Sequence, residues 1–100
     1  MNMENTLSGL DLDTASSASR PRVLVIDDDL IYLDMIKIVL RKAGFDVASA
    51  SDHLMALEKC RSVNPDVILL DVNMPRQDGI ETAKIIKREM PHIHIVMLTV

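Results

Sequence analysis

Three aspartates stand together at positions 27–29, a fourth, Asp71, closes the run VILLD, and a threonine, Thr99, follows the run IVML. Asp27 likewise comes straight after an apolar run, VLVI. If the first and third of these runs are neighbouring strands, three carboxylates (Asp27, Asp28 and Asp71) meet at their ends. Two like charges 5 Å apart cost about 3 kcal/mol at an effective dielectric of 20. Acids gathered in this way call for a cation. The donors available are carboxylates and, in the turn after Asp71, backbone carbonyls. Hard oxygen ligands with few protein contacts suit Mg²⁺, which keeps several waters. A carboxylate beside such an ion, held at a solvent-facing loop, can act as a nucleophile toward a phosphoryl group. Thr99 is placed to bring a hydroxyl to the other phosphoryl oxygens. Taken singly, Asp28 or Asp29 could cap a helix and Asp71 could close a turn with its own side chain. As a set on adjacent strand ends, the acids point to a site.

The elements that must position these groups alternate in period. RVLVI (22–26) is a β-branched strand. The segment 29–44 places Tyr32, Met35, Ile36, Val39 and Leu40 on one helical face, with Arg41 and Lys42 in the last turn and Gly44 at the stop. FDVAS (45–49) reads as a strand. Residues 52–62 read as a helix, with Asp52 or Ser51 as the cap and Leu54, Leu57 and Cys60 or Arg61 along one side, before the Asn64-Pro65 break. DVILLD (66–71) is an oily strand, 79–90 a third helix stopped by Pro91, and 92–100 a fourth strand. This order predicts an α/β fold: a doubly wound parallel sheet with helices on both faces and right-handed crossovers. In such folds ligands gather at the carboxyl ends of the strands, where the winding reverses.

Composition narrows the class further. With 100 residues, 48% of them apolar and 26% charged, a single globular domain is expected. A net charge of −4 argues against nucleic acid or an anionic membrane as the direct partner. No apolar run approaches the ~20 residues of a membrane span. One cysteine, Cys60, cannot form an internal disulfide, which suits a reducing cytoplasm. Residues 1–20 are polar and rich in Ser and Thr, and read as a flexible tail before a domain over 21–100.

VLVIDDD, LLDVNMPRQDG and VMLT, in this order and spacing, resemble the receiver domain of two-component response regulators, over residues 22–100. The resemblance implies a flavodoxin-like receiver fold and a phosphoacceptor role for Asp71, supplied by the phosphohistidine of a sensor histidine kinase or phosphotransfer protein. It implies Mg²⁺ held by Asp28 directly, by Asp27 mostly through water, by Asp71, and by the backbone carbonyl of Asn73, whose side chain would tune hydrolysis of the acyl phosphate. Thr99 would contact the phosphoryl oxygen and move on activation, while Met74-Pro75 and Asp78-Gly79 match the loop into the third helix. Enzymatic activity is expected only as Mg-dependent self-phosphorylation and autodephosphorylation. Members of the family continue past the fourth strand through a helix, a fifth strand carrying a lysine, and a final helix. The expectation is therefore an incomplete receiver of four strands and three helices, weak phosphorylation, and self-association through the open fourth-strand edge or the first helix.

Other residues carry less. His92 and His94 have no third ligand nearby and read as exposed strand-edge histidines; His53 reads as solvated, and Cys60 as lying on the core side. Leu30, Ile31, Leu33 and Ile38 make the first helix oilier than one core face requires, as a surface for the final helix or for a partner. Two rival functions remain at this level. Asp27-x-Asp29 after an oily strand is similar to the acid pair of haloacid dehalogenase-like phosphohydrolases, which would carry the phosphoryl group on Asp27. The other is a receiver-shaped interaction module that is never phosphorylated.

Overall fold

The computed structural model describes residues 20–74 and 79–98. Four short strands form one parallel sheet: β1 (Arg22–Ile26), β2 (Asp46–Ala50), β3 (Val67–Asp71) and β4 (His94–Leu98), in the spatial order β2-β1-β3-β4. Helices α1 (Leu30–Lys42), α2 (His53–Val63) and α3 (Gly79–Glu89) make the connections. The expected fold class is the one observed. From β1 the chain steps outward to β2, then returns across β1 to β3, so the winding reverses between β1 and β3. A crevice at the carboxyl ends of those two strands follows from this reversal.

The unbroken apolar strands are explained by cover on both sides. Leu24 and Ile26 of β1 and Ile68 and Leu70 of β3 form one core with Ala56 and Cys60 of α2 and Ala83 and Ile86 of α3. Val23 and Val25, pointing the other way, pack with Leu33 of α1, against which Tyr32, Ile36 and Leu40 also lie. No described helix is long and apolar enough to cross a membrane.

Local chemistry sets the element ends. Asp29 caps α1, its Oδ1 accepting from the N–H groups of Ile31 and Tyr32 at 3.0 and 3.1 Å. Asp52 caps α2 by accepting from the Met55 N–H at 2.7 Å. Gly44 turns the chain after α1 with φ 101°, a conformation that a Cβ disfavours. Asn64 ends α2 in the left-handed region, φ 53°, directly before buried Pro65.

Several side chains differ from expectation. In α1 it is Leu33 that is buried, while Met35 and Val39 are 60% and 58% exposed. This helix is apolar on two sides, so periodicity alone admitted two faces; the sheet selected the sector of Leu33, Ile36 and Leu40. In α2, Ala56 and Cys60 occupy the core and Leu54 is 73% exposed. The small residues let α2 approach the sheet closely, which leaves the bulkier Leu54 outside. His53 is half-buried rather than solvated. The last strand begins at His94, because Pro91 and His92 are spent in the turn after α3.

Candidate functional site

Register alone brings the acids together. Ile26 pairs with Leu70, so the next residues along, Asp27 and Asp71, emerge side by side at the strand ends. Asp27, Asp28 and Asp71 each offer a carboxylate oxygen within 4.8 Å of the others. Asp27 and Asp71 are half-buried and Asp28 is exposed, so the cluster opens to solvent.

Each inner acid is fixed by its own backbone. Asp27 Oδ1 accepts from the Asp29 N–H at 2.9 Å, and Asp71 Oδ1 accepts from the Asn73 N–H at 2.9 Å. These are Asx turns, so the turn-closing reading of Asp71 describes one of its carboxylate oxygens. A carboxylate has two oxygens, and each acid keeps a second acceptor for another ligand. The Asp27 N–H in turn donates to the Ala50 carbonyl at 3.1 Å, tying the site to the end of β2.

The electrostatics match the geometry. The Asp27 carboxyl is raised above the usual carboxylate range, first by desolvation and then by the charges of Asp71, Asp28 and Asp29; the Asp29 N–H pulls the other way. A pocket whose acids resist ionising together fits a divalent cation. The all-oxygen donor set at an open loop fits Mg²⁺ better than a softer ion.

Asp29 is absent from this group. Its Oδ1 is used in capping α1 and its carboxylate is not among the three that converge, so the Asp27/Asp29 pairing of a dehalogenase-like phosphohydrolase gains no support from the geometry. Asn73 is exposed beside Asp71, and Met74 is buried, anchoring the loop. Thr99, Pro75 and Asp78 lie outside the described residues. His92 is bonded through Nε2 to Asn64 Oδ1 at 3.1 Å and His94 is exposed at the strand entrance; neither belongs to the acidic cluster.

One positioning residue was recognised in the sequence only as part of a loop motif. At Gly79 an added Cβ would meet Val72 Cα at 3.0 Å and the Asp71 carbonyl oxygen at 3.3 Å. The first turn of α3 therefore backs directly onto the peptide that carries Asp71. Asp-Gly before a helix is ordinary turn chemistry, so the sequence held no sign of this contact.

Comparisons with known proteins bear on the family and the fold. Residues 23–100 match the family model described as the response regulator receiver domain. The chain is 41% identical over 80 residues to the DNA-binding response regulator MtrA of Mycobacterium tuberculosis strain H37Rv, covering 80% of this chain and 35% of that protein. It is 38% identical over 78 residues to the alkaline phosphatase synthesis transcriptional regulatory protein PhoP of Bacillus subtilis, covering 78% of this chain and 32% of that one. The chain thus spans about a third of the length of these relatives. Among solved structures, the chemotaxis response regulator CheY4 of Vibrio cholerae superposes with a TM-score of 0.74 at 33% identity, over 79% of this chain and 68% of that one. The response regulator TrrA of Thermotoga maritima, solved in complex with Mg²⁺-BeF, gives 0.73 at 33% identity, over 79% and 69%. Strand order, crevice and sequence matches have one explanation: this chain belongs to the response regulator receiver domain family.

Proposed function

We propose that the chain is the phosphoacceptor module of a two-component system, with Asp71 taking a phosphoryl group from a phosphohistidine on a sensor kinase or phosphotransfer protein. One oxygen of the Asp71 carboxylate attacks phosphorus. The O–P bond forms as the P–N bond to the donor imidazole breaks, and the imidazole leaves with the electron pair and takes up a proton. Asp27, Asp28, Asp71 and the backbone carbonyl of Asn73 would hold Mg²⁺, which offsets the charge of the phosphoryl oxygens when bound. The Asn73 side chain, exposed next to the acceptor, would govern the approach of the water that hydrolyses the acyl phosphate. Thr99 would hydrogen-bond a phosphoryl oxygen and pass the change on to an output. This places the chain in the cytoplasm, with no chemistry of its own beyond gaining and losing the phosphoryl group.

The observation carrying this reading is the convergence of three carboxylate oxygens within 4.8 Å at the switch point of the sheet. The test is incubation with a small acyl phosphate, with and without Mg²⁺, followed by mass spectrometry of the labelled peptide. Slow, Mg-dependent labelling confined to Asp71 and abolished in Asp71→Asn is expected. A label on Asp27, or equal labelling without the metal, would overturn the assignment.

A further inference from the structure

The pairing of β1 with β2 runs one residue past the end of both strands. The Asp27 N–H donates to the Ala50 carbonyl at 3.1 Å, which sets Asp27 opposite Ser51 just as Ile26 stands opposite Ala50. On its other side Asp27 is level with Asp71, because Ile26 pairs with Leu70. Ser51, Asp27 and Asp71 are therefore consecutive members of one row across β2, β1 and β3. The row before it, Ala50, Ile26 and Leu70, is buried in the core under α2 and α3. Strand alternation turns the next row away from that core. A hydroxyl thus stands beside Asp27, on the side that Asp71 does not occupy, at a strand spacing of about 4.8 Å.

The structural use expected of a serine at this place is taken by its neighbour. Serine and aspartate before a helix are both good caps, and the sequence admits either Ser51 or Asp52. Asp52 does the capping, its Oδ1 accepting from the Met55 N–H at 2.7 Å. Ser51 is half-buried and, among the described residues, its hydroxyl makes no hydrogen bond. Asp27 has the complementary need. Its Oδ1 accepts from the Asp29 N–H at 2.9 Å, and among the described residues nothing donates to Oδ2. A carboxylate held through one oxygen can pivot about that bond. Groups on the far side of a metal-binding carboxylate set its orientation, and with it the affinity of the site.

We infer that Ser51 is a positioning residue of the acidic site: when a divalent cation is bound, its hydroxyl donates to Asp27 Oδ2 and fixes that carboxylate toward the cation and Asp71. The move asks only for a turn about the serine Cα–Cβ bond, with no change in the backbone. An O–H donated to an ionised carboxylate is charge-assisted, hence short and strong. Oδ2 keeps a further lone pair for the metal or for a water on it. Ser51 touches neither the metal nor a phosphoryl group and acts only through Asp27. With the N–H to carbonyl bond between Asp27 and Ala50, it gives the end of β2 a second hold on the site. This role presupposes that the cluster of Asp27, Asp28 and Asp71 binds Mg²⁺.

Calorimetric titration of Mg²⁺ into the full chain tests this, with thermal melting of the metal-free protein as the control for folding. Ser51→Ala and Ser51→Cys keep the size of the side chain and lose the strong donor, and should bind Mg²⁺ about tenfold more weakly. Ser51→Thr retains the hydroxyl and should bind as the original does. Metal-free, all three should melt within about 2 °C of the original, as exchanges of small residues away from a core do. Asp71→Asn, which removes a carboxylate of the cluster itself, is the reference for loss of the site. If Asp71→Asn loses Mg²⁺ while Ser51→Ala binds as the original does, the role of Ser51 falls and the metal site stands. Threonine as weak as alanine would mark a packing defect and overturn the role as well. An original chain that does not bind Mg²⁺, or an Asp71→Asn chain that binds it unchanged, would overturn the metal site and the role of Ser51 together.

Discussion

Among the acids, Asp27 carries the cost of the site. Its carboxyl is raised by desolvation and by the neighbouring carboxylates. A group whose pKa is higher folded than unfolded supports the fold at low pH, and that support is lost as the pH rises through the folded value. At neutral pH the metal-free protein therefore bears the cost of a partly desolvated charge beside other carboxylates. Asp27→Asn should raise the metal-free melting temperature at pH 7, by only a few degrees because solvent still screens the half-buried group. The gain should disappear as the pH falls below the folded pKa of Asp27, and thermal melts across pH 3–8 would show it. Cys60 gives a second residue-scale expectation. Burial raises its thiol from 9.0 to about 11, with Arg61 opposing and Glu89 adding slightly. Native protein at pH 8 should resist iodoacetamide while unfolded protein reacts, and stability should decline as the pH climbs from 9 toward 11. The four aspartates were legible in the sequence as chemistry. Their division of labour was not, because whether an acid caps a helix or joins a pocket depends on where the next turn of backbone lies.

The element scale concerns how helices hold those residues still. Asp29→Ala removes the acceptor for two N–H groups of α1 and should cost about 1 kcal/mol, a fall of roughly 5 °C in melting temperature for a domain of this size. Gly79→Ala is the sharper probe. Alanine would favour the helix on propensity, by up to about 1 kcal/mol, yet the new Cβ meets the backbone of Val72 at 3.0 Å. The clash should win, with a net loss of about 1–2 kcal/mol, and weaker Mg²⁺ binding because the Asp71 peptide must move. Calorimetric titration of Mg²⁺ into both variants separates them: Asp29→Ala should lose stability with affinity little changed, whereas Gly79→Ala should lose both. The sequence narrowed the caps to Asp28 or Asp29 for α1 and to Asp52 or Ser51 for α2, because the spacing of cap and first helical turn is local, and the structure chose Asp29 and Asp52. The Gly79 contact joins two elements across a loop, and no periodicity records it.

At the scale of the whole molecule, the site and the fold are coupled by mass action. A cation that binds only the folded crevice adds RT ln(1 + [L]/Kd), about 2.7 kcal/mol at a hundredfold excess over Kd. Mg²⁺ should then raise the melting temperature by roughly 10 °C or more, and Asp71→Asn should remove most of that rise. Differential scanning fluorimetry across Mg²⁺ concentrations would measure it, with Ca²⁺ as the comparison ion.

By itself the sequence determined the order of strands and helices, the parallel sheet and the placing of acids at strand ends, since each of these is written in short-range periodicity and in the residues that stop it. Only the tertiary structure decided that β1 and β3 are neighbours in a register that sets Asp27 beside Asp71, that Asp29 belongs to α1 instead of the pocket, and that α1 buries Leu33 and leaves Met35 and Val39 in solvent. The reason is that a helix apolar on two sides and a run of three acids each satisfy several local patterns equally well. The choice between them is made by long-range packing against the sheet, which no short window of residues contains.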